Sequence, residues 1–181
     1  MWALTLNRPE ARNAVSEPVI RELRTGLSDA ADDPGCRAVI LAGEGKDFCS
    51  GADVSQLVSA REATGTIQFG QAFEGLLRAM EYHPTPVIGA AQGAALGAGC
   101  QLLLACDLAV AAQDARIGIP SARLGIVIPF ENIERLVLAV GPKRTAGMLL
   151  AGRVLTGLEA ERWGLINQTS EPDAVLTAAH E

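Results

Sequence analysis

The sequence predicts an α/β fold, in which strands and helices alternate within one domain of 181 residues. Two observations lead to this prediction. Short apolar runs bounded by glycine or proline, such as RAVILAGEG at 37–45 and PVIGAA at 86–91, are typical of strands buried on both faces. Between these runs, apolar residues recur with helical spacing. Glycine turns join many of the strands and helices, which indicates ββα or βαβ units.

The first part of the chain begins with alternating apolar residues at 2–6, which predict a strand that Pro9 ends. Ser16 is a typical helix N-cap. The helix after it stops at DDPG and carries apolar residues at helical spacing, namely Ile20, Leu23, Leu27 and Ala31. A buried strand at 37–45 follows, and a further helix is expected to begin near Val54.

The rest of the chain continues this alternation. An amphipathic helix is predicted at 67–82, and its apolar side consists of Phe69, Phe73, Leu76, Leu77 and Met80. Further strands are expected at PVIGAA, LAVAA, ARIGI and LIN, and further helices at 101–105, 132–140, PKRTAGMLLAG and TGLEAERWG. The last of these helices has a capping box at Thr156 and Glu159 and a glycine, Gly164, at its end.

Composition and charge exclude several classes of protein. The net charge of −6 argues against nucleic-acid binding, which needs a basic face. The four cysteines form no C-x-x-C pair and have no histidine nearby, so no metal site is expected. The run 89–112 is interrupted by glycines and polar residues, so no membrane span is expected. The opening MWALTLNRPE is too short and polar for a signal peptide, which predicts a cytoplasmic protein with reduced thiols.

Two turns of small residues carry the main functional signal. In FCSGADVSQL and in GAALGAGCQLLL, a strand is expected to end in such a turn and a helix to begin. The first N–H groups of a helix have no partner within it, and small residues let a ligand approach them. Two such turns can direct one N–H each at a single carbonyl oxygen, which would form an oxyanion hole. The alternative is that the glycines only permit close packing of helix on sheet.

The sequence resembles the crotonase (enoyl-CoA hydratase/isomerase) superfamily from about Trp2 to Asn167. The resemblance rests on five segments in the family's order and spacing: LTLNRPEARNAVS, AVILAGEGKDFCSGADVSQL, PTPVIGAAQGAALGAGCQLLLACDLAVAAQDARIGIP, ARLGI and LLAGRVLTGLEAERWGLIN. It implies a crotonase-like spiral of ββα units and a homotrimer or dimer of trimers. Family members usually have a further first strand and a C-terminal helical segment, which we expect to be shortened or missing here.

The resemblance also implies a substrate and its binding residues. The ligand would be an acyl-CoA thioester, with coenzyme A as part of the substrate and no separate cofactor. The N–H groups of Ala52 and Ala98 would bind the thioester oxygen and stabilise an enolate. The coenzyme A portion would follow loops that contain Arg12, Ala14, Ser50, Asp53 and Val54. Arg12 and Lys46 are candidate phosphate partners, or they are ordinary solvated surface residues.

The sequence departs from the family's hydratases at both of their acid/base glutamates. Gln101 and Ser121 stand at these positions, and neither can replace a carboxylate in proton transfer. Glu131 is the candidate for a relocated base, provided that burial beside the apolar residues 126–130 raises its pKa. The alternative is that Glu131 only favours the first turn of its helix.

Three functions remain open from the sequence. The first is an enzyme that acts on an acyl-CoA by isomerase-like or other chemistry rather than by hydration. The second is a protein that binds acyl-CoA without turnover, which the loss of both glutamates favours. The third is a structural subunit of a hetero-oligomer, in which the pocket would be blocked.

Overall fold

The computed structural model describes residues 1–53 and 63–181. Its larger sheet consists of Trp2–Leu6 (β1), Val39–Gly43 (β2), Val87–Ala91 (β3), Leu108–Ala112 (β5) and Gln168–Ser170 (β8). The strand order is β1-β2-β3-β5-β8, and every neighbouring pair is parallel. Because parallel neighbours need crossover connections, this sheet explains why helical segments separate the strands in sequence.

A smaller sheet consists of Ala94–Leu96 (β4), Arg116–Gly118 (β6) and Val154–Thr156 (β7). β4 pairs with β6 in parallel, and β6 pairs with β7 in antiparallel fashion. Only Gln92 and Gly93 separate β4 from the end of β3. The chain therefore passes from the central strand of one sheet directly into the other sheet.

Seven described helices accompany the sheets. They are Glu17–Asp32 (α1), Ala63–Glu81 (α2), Ala98–Leu104 (α3), Phe130–Val140 (α4), Pro142–Leu149 (α5), Gly157–Trp163 (α6) and Val175–His180 (α7). Short 3-10 turns lie at Pro9–Ala11, Ser121–Leu124 and Pro172–Ala174. Within residues 1–53 and 63–181, no helix has both the length and the hydropathy needed to cross a bilayer.

The core lies between the larger sheet and the helices that cover it. α1 packs against α2, and both helices face the strands. Leu27 of α1, Leu76 of α2 and Val39 of β2 line the same interior space. Strands β2 and β3 are almost wholly buried, which agrees with their continuous apolar runs.

The structure confirms the predicted alternation and corrects several boundaries. α3 begins at Ala98 and α4 at Phe130, earlier than the sequence pattern indicates, and α1 buries Ala30 rather than Ala31. The helix expected near Val54 lies outside the described residues. The capping box at Thr156 and the left-handed Gly164 are present as predicted.

The prediction of a strand at LIN is wrong. Leu165 and Ile166 are buried in an irregular segment that closes α6, because the Leu165 N–H donates to the Ala160 carbonyl at 2.9 Å. Asn167 then binds β5 through both its N–H and its side chain, which accepts from the Ala109 N–H at 2.8 Å. Strand pairing therefore begins only at Gln168.

Leu77 tests this description of the core. Its side chain is fully buried at 0% exposure, so Leu77→Ala should lower the free energy of unfolding by about 2–5 kcal/mol. Leu138 is 81% exposed, and Leu138→Ala should change the free energy by about 0.5 kcal/mol or less. Urea denaturation followed by circular dichroism measures both, and equal effects would contradict the assigned core.

Candidate functional site

Two turns of small residues meet at the junction of the two sheets. Cys49 forms a parallel bridge with Ala95. The Cys49 N–H donates to the Ala94 carbonyl at 2.8 Å, and the Leu96 N–H donates to the Cys49 carbonyl at 2.9 Å. The two segments thus run side by side in the same direction, from a strand towards the turn that follows it.

This pairing brings Ala52 and Ala98 into corresponding positions. Ala52 lies three residues after Cys49, and Ala98 lies three residues after Ala95, the residue that forms the bridge with Cys49. Contact between the turns supports the register, because a Cβ on Gly97 would lie 3.7 Å from the Cα of Gly51. The parallel pairing therefore places the N–H groups of Ala52 and Ala98 on neighbouring strands of backbone.

Both N–H groups are free to bind a ligand within the described part of the chain. Ala98 is the first residue of α3, so its N–H has no acceptor in the helix. Ala52 forms a parallel bridge with Val15, and the bonds of that bridge use the Gly51 carbonyl and the Asp53 N–H. The N–H of Ala52 consequently points away from Val15. These two donors are what an oxyanion hole requires.

Two glycines make this close approach possible. Gly97 has φ 54° and ψ −114°, a backbone conformation that residues with a Cβ rarely adopt. At Gly99, a Cβ would lie 2.8 Å from the Cβ of Cys49 and would overlap its carbonyl oxygen. The glycines therefore agree with both interpretations of the sequence, a ligand site and close packing. The close packing that they permit is what brings the two N–H donors together.

The segment 8–15 covers the same site from a third side. The Ser50 N–H donates to the Arg12 carbonyl at 3.0 Å, and the Asp53 N–H donates to the Val15 carbonyl at 2.8 Å. Arg8 donates from Nη1 to the Ala14 carbonyl at 2.9 Å and forms an ion pair with Asp53 at 3.0 Å. The structure therefore brings Arg12, Ala14, Ser50 and Asp53 together, whereas Val54 lies outside the described residues.

Asp47 joins the three segments of this site. Its Oδ1 accepts from the Ala94 N–H at 2.8 Å, and its Oδ2 accepts from Arg12 Nε at 2.7 Å. Its carbonyl accepts from Asn13 Nδ2 at 2.7 Å. The hydrogen bond from Arg12 lowers the pKa of Asp47, and the Ala94 N–H acts in the same direction against the effect of burial. The carboxylate therefore stays ionised and holds β4 in place.

Arg12 and Lys46, the two candidate phosphate partners, differ in whether the charge of the side chain is already paired. The guanidinium of Arg12 is about half exposed and is bound to Asp47, whose hydrogen bond and charge raise the pKa of Arg12. Lys46 is exposed, and its ammonium makes no ion pair within the described residues. Lys46 is thus available to an anion without breaking a contact, whereas Arg12 would have to share its charge with Asp47.

Gln101 and Ser121 differ in burial. Gln101 lies in α3, one helical turn after Ala98, and is 7% exposed. Ser121 is half-buried at the start of the 3-10 turn Ser121–Leu124. Only Gln101 is thus placed by its helix beside one of the two donors.

Glu131 is not buried, so the condition for its role as a relocated base is not met, and it lies in the first turn of α4 as in the alternative interpretation. Glu131 is exposed and lines a surface cleft with residues at the end of α2, including Glu81 and Tyr82. Its apolar neighbours Val127 and Phe130 are 90% and 72% exposed, so they do not desolvate the carboxyl. The inward residue of this turn is Asn132, because it lies on the face of α4 that packs against the core.

Cys49, Cys100 and His83 have structural roles. Burial raises the pKa of both Cys49 and Cys100 to about 12, so these thiols stay protonated and are poor nucleophiles. The His83 ring lies within hydrogen-bond distance of the Thr85 and Leu27 carbonyls. Across the described ranges, no three His, Cys, Asp or Glu side chains are grouped as metal ligands.

Sequence reasoning missed Asp47, Asn13 and Arg8, which hold the site together. Asn13 is 1% exposed with φ 56°, and its side chain binds the carbonyls of Glu44 and Asp47. The available signal was a polar residue in each of two loops, Asn13 in one and Asp47 in the other. The sequence did not indicate that these loops would meet, because their contact arises from strand pairing between segments that are far apart in sequence.

Comparisons with known proteins agree with this fold. The family model described as enoyl-CoA hydratase/isomerase matches residues 1–181. A crotonyl-CoA hydratase of Syntrophomonas wolfei is 38% identical over 176 residues, which are 96% of this chain and 66% of that protein. A short-chain-enoyl-CoA hydratase of Clostridium acetobutylicum is 34% identical, over 98% of this chain and 68% of that protein.

Solved structures show the same similarity. An enoyl-CoA hydratase of Mycobacterium smegmatis has a TM-score of 0.93 and 34% identity, and it covers 98% of this chain and 69% of its own. An enoyl-CoA hydratase of Bacillus anthracis has a TM-score of 0.94 and 30% identity, with the same coverage. The chain thus has the crotonase fold and spans about two thirds of the length of the relatives it matches.

Asp47 generates a prediction for stability. Asp47→Asn removes the charge that binds Arg12, so it should lower the free energy of unfolding by about 1–3 kcal/mol at pH 7. Because the pKa of Asp47 is lowered in the folded state, this difference should be full above the ordinary pKa of about 4 and should shrink as the pH falls below it, towards the lower pKa of the folded state. Asp114→Asn, in an exposed turn, is the control. Urea denaturation between pH 3 and pH 7 measures both, and a difference that grows on acidification would contradict the assignment.

Proposed function

Because the chain belongs to the enoyl-CoA hydratase/isomerase family, we propose that it binds an acyl-CoA thioester and polarises the thioester carbonyl with the N–H groups of Ala52 and Ala98. One observation carries this proposal. The parallel pairing of Cys49 with Ala95 brings two turns into contact, and each turn presents one unused N–H. On the same basis we propose that residues 1–181 act as one acyl-CoA-binding domain, because a single family model matches all of them.

The chemistry of such a site is the stabilisation of negative charge on oxygen. When a proton passes from C2 of the acyl group to water, the electron pair of the C–H bond moves into the thioester and the charge collects on the carbonyl oxygen. Two fixed donors stabilise this enolate more than they stabilise the neutral carbonyl, which lowers the barrier. The site therefore supports reactions that begin with removal or transfer of a C2 proton.

Hydration is disfavoured because no carboxylate stands at either of the hydratase positions that the family resemblance indicates. Gln101 carries a carboxamide and Ser121 a hydroxyl, and neither exchanges a proton readily near neutral pH. We propose isomerase-like or other acyl-CoA chemistry within fatty acid metabolism instead. The second candidate is binding without turnover, which the exposed position of Glu131 and the ion pair of Asp53 with Arg8 favour.

Binding of the coenzyme A portion is proposed for the loops around the site. Segment 8–15 and segment 46–53 meet there and carry three cations. Arg8 forms an ion pair with Asp53, and Arg12 and Lys46 are the candidate phosphate partners. These side chains could bind phosphate groups although the net charge of the protein is −6. The family resemblance further supports a homotrimer or dimer of trimers, and the free thiols of all four cysteines are compatible with a cytoplasmic location.

Ala98→Pro tests the donor directly. Proline lacks an N–H and is common as the first residue of a helix, so this change removes the donor at a position where α3 makes no use of it. We expect deuterium exchange at C2 of butyryl-CoA in D₂O to slow by about 10²–10³-fold. If the protein binds without turnover, the affinity for butyryl-CoA should fall instead.

Phe130→Pro is the matched control, because Phe130 is the exposed first residue of α4 and follows a residue with extended ψ. Mass spectrometry follows the exchange, and isothermal titration calorimetry follows the affinity. Equal behaviour of the two proline variants would contradict the role of the Ala98 N–H.

Crotonyl-CoA tests the exclusion of hydration. The natural chain should cause no loss of enoyl absorbance at ordinary enzyme rates, because it lacks the groups that add water across the double bond. Gln101→Glu, assayed beside it, shows whether one carboxylate restores hydration. Rapid hydration by the natural chain would contradict the importance given to the two missing glutamates, and Glu131→Gln would then be the next variant.

A further inference from the structure

Asp47 contacts two parts of the proposed site with one carboxylate. Its Oδ1 accepts from the N–H of Ala94, the first residue of β4, and its Oδ2 accepts from Arg12 Nε. Ala94 begins the strand that leads into the turn before Ala98, whereas Arg12 is a candidate partner of the coenzyme A phosphates. A displacement of this carboxylate would therefore change the carbonyl site and the phosphate site together.

Gly93 allows the side chain of Asp47 to reach β4. The backbone of Gly93 is left-handed, with φ 57°. A Cβ at this position would lie 2.8 Å from Oδ1 of Asp47 and would overlap the carbonyl oxygen of Lys46. The turn between β3 and β4 thus leaves room for the carboxylate beside the N–H of Ala94 because residue 93 has no side chain.

Asp47 also holds the unusual backbone of the segment that carries Arg12. Arg12 and Asn13 are consecutive and both left-handed, with φ 52° and 56°, a conformation that costs free energy for residues other than glycine. Asn13 Nδ2 donates to the carbonyl of Asp47 at 2.7 Å, while the carboxylate of Asp47 binds the Arg12 guanidinium. One residue therefore fixes both the backbone next to Arg12 and the side chain of Arg12.

The guanidinium of Arg12 retains part of its binding capacity. Nε and Nη2 donate to the two carboxylate oxygens of Asp47 at 2.7 and 3.3 Å, whereas Nη1 makes no hydrogen bond among the described residues. The side chain is 55% exposed, so Nη1 and the second N–H of Nη2 can donate to an anion. An arginine that a carboxylate already orients loses less conformational entropy when it binds a phosphate.

We infer that Asp47 is a positioning residue that couples the two ends of a bound acyl-CoA: it orients Arg12 for the coenzyme A phosphates and, through Ala94, the N–H of Ala98 for the thioester oxygen. This inference rests on the proposed function, because that function places the phosphates at Arg12 and the thioester at Ala98. Asp47 acts through these two groups and needs no contact with the ligand. Recognition of the phosphates and polarisation of the carbonyl therefore depend on the same side chain.

Butyryl-CoA and butyryl-pantetheine separate the two roles of Asp47, because the second thioester has no phosphate. In Asp47→Asn an amide oxygen can still accept from the Ala94 N–H, but the charge that holds Arg12 is lost. By isothermal titration calorimetry, the Kd of butyryl-CoA should rise about 3–10-fold and that of butyryl-pantetheine less than about twofold.

Asp47→Ala removes both contacts. Both thioesters should then bind more weakly than to the natural chain. The carbonyl stretch of bound butyryl-CoA, labelled with ¹³C at C1, should also move back towards its frequency in water, because β4 has lost the acceptor that holds it. A carboxylate that served only general stability would affect the two thioesters equally in Asp47→Asn.

A double-mutant cycle with Arg12→Gln measures the coupling. If Asp47 contributes to the affinity for butyryl-CoA through Arg12, Asp47→Asn should weaken binding by less than about twofold once Arg12 is replaced. An effect of Asp47→Asn that is the same with and without Arg12 would overturn the coupling. This cycle does not require Asp47→Ala to fold.

Glu159→Gln is the matched control. Glu159 also accepts from one backbone N–H, that of Thr156 at 2.9 Å, and from one arginine, Arg153 at 2.9 Å. These partners lie at the start of α6 and next to β7, outside the two turns. Glu159→Gln should leave the affinities for both thioesters and the carbonyl frequency unchanged.

The failures of the two proposals are distinguishable. An unchanged Kd of butyryl-CoA in Asp47→Asn, equal weakening of both thioesters in that variant, or an unchanged carbonyl frequency in Asp47→Ala overturns the coupling and leaves acyl-CoA binding intact. Failure of both thioesters to bind the natural chain overturns the proposed function and this inference with it.

Discussion

The functional site depends on the parallel pairing of backbone between Cys49 and Ala95. This contact joins the end of the segment after β2 to β4, and so it links the two sheets. It fixes the register in which Gly51 meets Gly97, and this register in turn places the N–H groups of Ala52 and Ala98 together. A shift by one residue would direct one of the two N–H groups elsewhere.

Hydrogen bonds of Asp47 and Asn13 hold this pairing in place. Asp47 holds the Ala94 N–H on one side and Arg12 on the other, while Asn13 binds the carbonyl of Asp47. These contacts hold the two turns in place, and the proposed oxyanion hole needs donors that do not reorganise during a reaction.

Local patterns predicted the elements of this fold well and their contacts poorly. The apolar runs of β2 and β3 and the capping box at Thr156 were readable because each depends on neighbouring residues. The strand predicted at LIN failed because tertiary contacts of Leu165 and Asn167 override its apolar character. The apolar residues before Glu131 did not predict the environment of its side chain, because the fold leaves Val127 and Phe130 exposed as well. The role of Asp47 needed the pairing of segments far apart in sequence.

The central claim is that two backbone N–H groups bind one thioester oxygen. Isotope-edited infrared spectroscopy of butyryl-CoA, labelled with ¹³C at C1, observes that bond directly in the complex. We predict that the carbonyl stretch moves to lower frequency on binding and that the shift is smaller in Ala98→Pro than in Phe130→Pro. A bound thioester whose carbonyl frequency equals that in water, or is unchanged in Ala98→Pro, would contradict the claim.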